Sequence, residues 1–193
     1  SGPVVGVLAL QGAFSTHLDR LASLNVKARP VTQPEHLKGV DALILPGGES
    51  TTMSMLLDTS GLREPLGDLF VDGMPVFGTC AGMILCASNV LDGRPDQRGF
   101  DLVDVTVRRN GYGRQLDSFE TDLNVAGLAS PFHAVFIRAP RVEHVGAAVD
   151  ILATHDGVPG LVRDGTCTVA AFHPELTHDT RLHELFVAQL NGN

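Results

Sequence analysis

A lone thiol stands between small residues in Phe77-Gly78-Thr79-Cys80-Ala81-Gly82, where an apolar run ends and a helix-forming stretch begins. Small flanks permit a sharp strand-to-helix turn that lifts a side chain above the carboxyl edge of a sheet. There the next backbone N–H can donate to an oxyanion, and the start of a helix favours the thiolate. Cys80 is therefore a candidate nucleophile; taken alone it reads equally well as a small buried hydrophobe. A second apolar run ends at Ala170-Ala171-Phe172-His173-Pro174-Glu175, placing an imidazole and a carboxylate two residues apart. A neutral imidazole can take the thiol proton and return it to a leaving amine, and a carboxylate on the far ring nitrogen fixes tautomer and orientation. His173 and Glu175 are the candidates for those roles, with the rigid Pro174 restricting the turn between them. Two readings compete. One is a surface turn with a satisfied histidine, which is also the reading for the other seven histidines. The other is a metal site of His173, Glu175 and His178, which lacks i, i+4 helical spacing and further ligands, so no metal is expected.

A third segment, Leu45-Pro46-Gly47-Gly48-Glu49-Ser50-Thr51, ends a strand with two glycines just before a helix. Glycine lets the backbone approach a ligand closely and present N–H groups to developing negative charge. A Gly-Gly turn is also a common tight connection, and the segment is not the G-x-x-x-x-G-K-[ST] of a nucleotide phosphate loop.

These groups need a scaffold that brings residues 93 positions apart to one edge. Val4–Leu10 is a β-branched run without polar alternation, as expected of a strand buried on both faces of a parallel sheet. Leu18, Leu21, Ala22 and Leu24 then recur at helical spacing, with Ser15 or Thr16 as the expected N-cap. Strands are expected at Val26–Val31, Ala42–Leu45 and Pro75–Gly78, with helices at Thr51–Asp58, Glu64–Val71 and Met83–Ser88. This alternation implies right-handed βαβ units and a mostly parallel sheet with helices on both faces. Cys80 and His173 then both follow parallel strands, whose carboxyl ends share one edge.

The second half reads as short strands at 101–109, 116–124, 133–139, 149–155, 158–163 and 167–172, an antiparallel extension of the sheet. A last helix, about Thr180 to Leu190, places Leu182, Leu185, Phe186 and Leu190 on one face, and Arg94–Gly99 is the most loop-like stretch. No repeat or linker divides residues 1–193, which are expected to form one domain. Ser1-Gly2-Pro3, without an initiator Met, reads as a cloning remnant.

The 193 residues are 44% hydrophobic and 19% charged, enough apolar material for an ordinary core. A net charge of −8 is the wrong sign for nucleic acid or an anionic membrane surface, and no apolar run spans a bilayer. A cytoplasmic protein is expected. Cys80, Cys86 and Cys167 make an odd count without a C-x-x-C pair, disfavouring disulfides, and Cys86 and Cys167 read as core thiols.

Together, Pro46–Thr51, Gly78–Gly82 and Phe172–Glu175 resemble the motifs of class I (triad) glutamine amidotransferases. Gly6–Gly12, Arg108–Gln115 with Asp117–Glu120, Phe136–Pro140 and His173–Thr177 resemble more closely the glutaminase subunits of pyridoxal 5-phosphate synthase. The resemblance covers nearly the whole chain and implies a flavodoxin-like, three-layer α/β/α sandwich. It implies Cys80 as nucleophile, His173 as general base and acid, Glu175 as its orienting carboxylate, and Gly48 and Ala81 N–H groups as the oxyanion hole. Glutamine binding would fall to Gly48, Glu49, Ser50, Arg109, Ile137 and Arg138. No cofactor is implied. The implied partner is the synthase component, a (β/α)8 barrel that builds pyridoxal phosphate from a pentose phosphate, a triose phosphate and ammonia. Docking would order the oxyanion hole, with Gln11 near the contact. Gly111 and Tyr112 depart from the usual small residue and Phe of that signature. A γ-glutamyl peptidase, a redox or chaperone protein on a similar sheet, and a non-catalytic binding module are the alternatives.

Overall fold

The computed structural model describes residues 2–95, 97–109 and 118–191; Asn110 to Asp117 of the central signature lie outside the described residues. The largest sheet has seven strands: β1 (Val4–Leu8), β2 (Lys27–Val31), β3 (Ala42–Leu45), β4 (Val76–Thr79), β10 (Asp150–His155), β11 (Val158–Asp164) and β12 (Cys167–Ala170). Their spatial order is β10-β11-β12-β4-β3-β1-β2. Strands β2, β1, β3, β4 and β12 run parallel, and β11 and β10 add an antiparallel edge. The parallel strands nearest the middle, β3, β4 and β12, are buried along their whole length. That burial explains their mostly apolar sequences, interrupted only by Thr79 and Thr168. Gly6 of β1 leaves only enough room for backbone, since a Cβ there would stand 3.0 Å from both Leu43 and Val31.

The helices are α1 (Phe14–Ser23), α2 (Ser50–Thr59), α3 (Arg63–Val71), α4 (Ala81–Cys86) and α5 (Arg181–Ala188). Alternation along β4 sorts them into layers, because successive side chains leave opposite faces of a strand. Phe77 meets His183 and Phe186 of α5, and Thr79 meets His17 of α1. Gly78, between them, faces α4, where a Cβ would come within 2.8 Å of the Gly82 carbonyl and 3.3 Å of Cys86 Sγ. Helices thus cover both faces, as expected of a parallel sheet.

The antiparallel extension or edge expected of the second half is present as β11 and β10, but the remaining strands lie outside that sheet. β5 (Ala87–Val90), β6 (Val103–Arg108) and β9 (Arg141–Val145) form a separate three-stranded sheet, and β7 (Ser118–Leu123) pairs with β8 (Phe132–Ile137) as a hairpin. The helix expected to reach Ser88 ends at Cys86, because Ala87 turns extended and Ala87–Val90 pairs in parallel with β6. The first helix begins at Phe14, with Ala13 in the cap position and no side-chain cap, so neither Ser15 nor Thr16 serves that role. Leu185, expected on the buried face of the last helix, is 37% exposed. Among the described residues, no helix is long and apolar enough to cross a membrane.

Phe119 and Phe136 stack within the hairpin at 4.5 Å, and Phe136 and Phe132 both pack on the fully buried Phe172. Backbone bonding adds a clip, His173 N–H donating to the Val135 carbonyl at 2.8 Å. The hairpin is thereby fixed across the residue that carries the candidate base.

Candidate active site

Cys80 occupies the junction of β4 and α4 with φ 54° and ψ −107°, a left-handed conformation that costs a non-glycine residue of order 1–3 kcal/mol. Neighbouring backbone holds it there: its N–H donates to the Ala170 carbonyl at 2.8 Å, and its carbonyl accepts from Met83 at 3.0 Å. The small flanks are a packing requirement, because a Cβ on Gly82 would collide with the Leu45 carbonyl. Ala81 is the first residue of α4, so its N–H has no intrahelical acceptor and is available to a ligand. The Cys80 Sγ lies 3.7 Å from the Ile137 carbonyl at the end of β8.

His173 follows β12, the parallel neighbour of β4, and its Nδ1 is 2.7 Å from Glu175 Oε2. Glu175 lies in a 3-10 turn, Pro174–Leu176, and is fully buried. Burial alone would pull the His173 pKa down, but hydrogen bonds to Cys80 and Glu175 outweigh it and raise the pKa to about 10. The ring is therefore set up to hold a proton between a thiol and a carboxylate. Gly47 packs against it so closely that a Cβ there would overlap His173 Cε1.

The two-glycine loop is fastened at both ends to the turn after β1. The Gly47 carbonyl accepts from Ala13 N–H at 3.0 Å, and Glu49 N–H donates to Gln11 Oε1 at 2.8 Å. A trans peptide aims its N–H opposite its C=O, so the first bond turns the Gly48 N–H away from Ala13. Glu49 caps α2, its carboxylate accepting from Thr51 N–H at 2.7 Å and Thr52 N–H at 3.3 Å, with Arg109 Nη2 3.4 Å away. Burial opposes ionisation of Glu49, but those amides, the Thr52 hydroxyl and Arg109 together hold its carboxyl below the usual value. The Ser50 hydroxyl is buried and has no hydrogen-bond partner among the described residues.

Gln11, Gly48, Glu49, Ser50, Cys80, Ala81, Arg109 and Arg138 line one cleft of about 410 Å³, together with Ile84. The structure thus brings the positions singled out in the sequence to one place, with His173 and Glu175 behind the thiol and the Ile137 carbonyl beside it. Such a cleft offers a carboxylate-bearing substrate a guanidinium wall, and offers an amide carbonyl a thiol and two candidate backbone donors.

Sequence reasoning missed what lies behind Glu175. His17 and His183, read as satisfied surface histidines, are fully buried, and Arg20 Nε donates to the Glu175 carbonyl at 3.0 Å. The available signal was periodicity: His17 stands four residues before the buried Leu21, and His183 three before the buried Phe186. Among the described residues, no group of three or more His, Cys, Asp or Glu could hold a metal ion.

Residues 7–192 match the SNO glutamine amidotransferase family. The chain is 53% identical over 192 residues to pyridoxal 5'-phosphate synthase subunit PdxT of Salinispora arenicola, covering 96% of each chain. It is 52% identical to the protein of the same name from Streptomyces coelicolor, with 99% of this chain and 95% of that one covered. A crystal structure of a glutamine amidotransferase superposes with a TM-score of 0.91 at 45% identity, covering 98% of this chain and 99% of the other. A chain in the structure of PurLQS from Thermotoga maritima shares the fold, with a TM-score of 0.70 at 14% identity over 98% of this chain and 100% of the other. With a family match running almost end to end and half of its residues identical to those of full-length relatives, the chain belongs to the SNO glutamine amidotransferase family.

Proposed function

We propose that this chain hydrolyses L-glutamine to L-glutamate and ammonia through Cys80, His173 and Glu175, and hands the ammonia to a pyridoxal phosphate synthase subunit. The observation that carries this reading is the placement of His173 between the Cys80 thiol and the Glu175 carboxylate, at the wall of a cleft lined by Arg109 and Arg138. In the first step His173 holds the proton taken from the Cys80 thiol while the sulfur forms a bond to the side-chain amide carbon of glutamine, and the carbonyl electrons move onto oxygen. Gly48 and Ala81 N–H groups stabilise that oxyanion. Collapse breaks the C–N bond, with His173 giving its proton to the leaving nitrogen, so that ammonia departs and a γ-glutamyl thioester remains. Water then attacks the thioester, His173 takes its proton, and the C–S bond breaks to release glutamate and restore the thiol. Glu175 holds the ring through both steps.

The substrate's amino-acid end is assigned to Ser50, Glu49, Arg109, the Ile137 backbone and Arg138. Ammonia is mostly ammonium in neutral water and a poor nucleophile in that form, which gives direct transfer to a partner its chemical reason. The relatives' name, which makes them a subunit of pyridoxal 5'-phosphate synthase, supports another subunit of that synthase as the partner, and the family resemblance implies a (β/α)8 barrel for it. Gln11, which holds Glu49 N–H, is the residue through which docking would reach the oxyanion loop.

The test is glutamate release from L-glutamine by this chain alone and mixed with a synthase subunit. Release that rises with the partner and disappears in Cys80→Ala, a loss of at least about 10⁴-fold, is the expected result. Undiminished release by Cys80→Ala, or no release in any mixture, would overturn the reading.

A further inference from the structure

Glu175 presents two oxygens to a fully buried environment, and they are treated differently. Oε2 takes the His173 Nδ1 bond, whereas Oε1 has no hydrogen-bond partner among the described residues. His17 Nε2 lies 3.6 Å from Oε1 and 3.3 Å from Thr79 Oγ1, one residue before Cys80 on β4. On the other side of that ring, Nδ1 is 2.9 Å from His183 Nε2, and His183 Nδ1 has no partner among the described residues. Side chains from α1, β4, α5 and the turn after β12 thus form one continuous buried row behind the site.

The row has two ways to arrange its protons. If His17 carried its proton on Nδ1, His183 Nε2 would have to accept, forcing the His183 proton onto the orphaned Nδ1. Nε2 could then only accept, from the Thr79 hydroxyl, and would turn its lone pair toward a carboxylate oxygen 3.6 Å away, so a buried His183 donor would be unmatched and two acceptors would oppose each other. If His17 carries its proton on Nε2, His183 donates to His17 Nδ1, an acceptor instead of a donor stays unmatched on His183, and the Nε2–H meets the Thr79 hydroxyl with its positive end 3.6 Å from Oε1. The second arrangement satisfies more of the buried groups.

We infer that His17 is a positioning residue for the reaction: as the Nε2–H tautomer, fixed by His183, it steadies the Oε1 side of Glu175 and so keeps Oε2 on His173. This inference rests on the reading of Cys80, His173 and Glu175 as the triad. The groups facing His17 are His183, His173, Arg20 and Glu175. Burial first, then the charges of His183, His173 and Arg20, hold its pKa well below the ordinary value, so the ring remains a neutral dipole with one proton to place. A neutral donor suits the role, because it supports the carboxylate without discharging the pull that Glu175 exerts on His173.

Two measurements on the chain in complex with a synthase subunit test this. In the first, ¹⁵N NMR of the unaltered chain reads the His17 tautomer; an Nε2–H ring is expected, and an Nδ1–H ring overturns the inference with no substitution made. The second compares His17→Leu with His17→Gln, whose amide can again place an N–H near Nε2. His17→Leu is expected to lower kcat for glutamine hydrolysis about ten- to hundred-fold with KM unchanged, and to move the downfield His173 Nδ1 proton resonance. His17→Gln is expected to restore most of both. Unchanged kcat in a folded His17→Leu, or equal losses in the two variants, would overturn it. Cys80→Ala run alongside separates the two ideas, since residual turnover there removes the triad reading, whereas a dead Cys80→Ala beside a fully active His17→Leu removes only the role of His17.

Discussion

His173 and His183 are the same side chain in similarly dry surroundings, and they titrate in opposite directions. His173 holds its proton up to a pKa of about 10, whereas His183 is pushed down to about 4. Burial lowers both. What differs is the company: His173 has the Cys80 thiol and the Glu175 carboxylate on either side, while His183 has the apolar Phe77 ring, the neutral His17 ring and the positive charge of Arg20 near it. Charge placement at the site is thus decided by which residues the fold supplies as neighbours, with burial as a constant background.

The largest way to break this contrast is Glu175→Gln. It keeps the shape but removes the negative charge, so the His173 pKa should fall and kcat for glutamine hydrolysis should drop by about 10³- to 10⁴-fold with the fold intact. Steady-state kinetics with an NMR titration of His173 checks both; unchanged kcat would separate the carboxylate from the reaction. Gly47→Ala acts on the same ring by shape alone. Its methyl group overlaps His173 Cε1, and a displacement of the ring by about 1 Å predicts a kcat loss of about 10²-fold at nearly unchanged circular dichroism.

The smallest effect is on stability. His183 has a folded pKa below its unfolded value, so its contribution is present above about pH 6.5 and is lost as pH falls toward 4. The His183 share of that acid limb amounts to about 3 kcal/mol, and His17, likewise held well below its ordinary pKa, adds to the same limb. His173 has a raised folded pKa, so its contribution is full below about pH 6.5 and is lost as pH rises toward 10. Thermal unfolding across pH should therefore show a maximum near pH 6–7, and His183→Gln should make its acid side shallower while leaving the alkaline side unchanged.

The parallel half of the fold was legible because strands buried on both faces leave unbroken apolar runs, as in Ala42–Leu45 and Val76–Phe77. The convergence of the candidate residues was legible for a related reason, since Cys80 and His173 each follow such a run. Strand β9 was not legible: Arg141-Val142-Glu143-His144-Val145 carries polar residues on an exposed face and gains its strand form by pairing with β6. The start of Ala87–Val90 reads locally as the end of a helix because nothing in it marks the turn that its pairing partner imposes. His17 and His183 belong to no motif; their importance arises only when α1 and α5 pack on the same face of β4. Glu49 shows the converse, a residue expected to bind substrate that the structure also commits to capping α2 and pairing with Arg109.

The placement of β12 between β11 and β4 sets the order in which a growing polypeptide can acquire this chemistry. Cys80 leaves the ribosome some ninety residues ahead of His173, and the strand that leads to His173 is the last made of the described strands yet sits inside the sheet. Until Cys167–Ala170 slots in, one edge of β4 has no partner from β12 and stands open to foreign strands, a hazard for any chaperone-poor setting. The same order means that a nascent chain stalled short of residue 167 holds Cys80 without His173, so the proposed chemistry cannot start before the sheet can be completed.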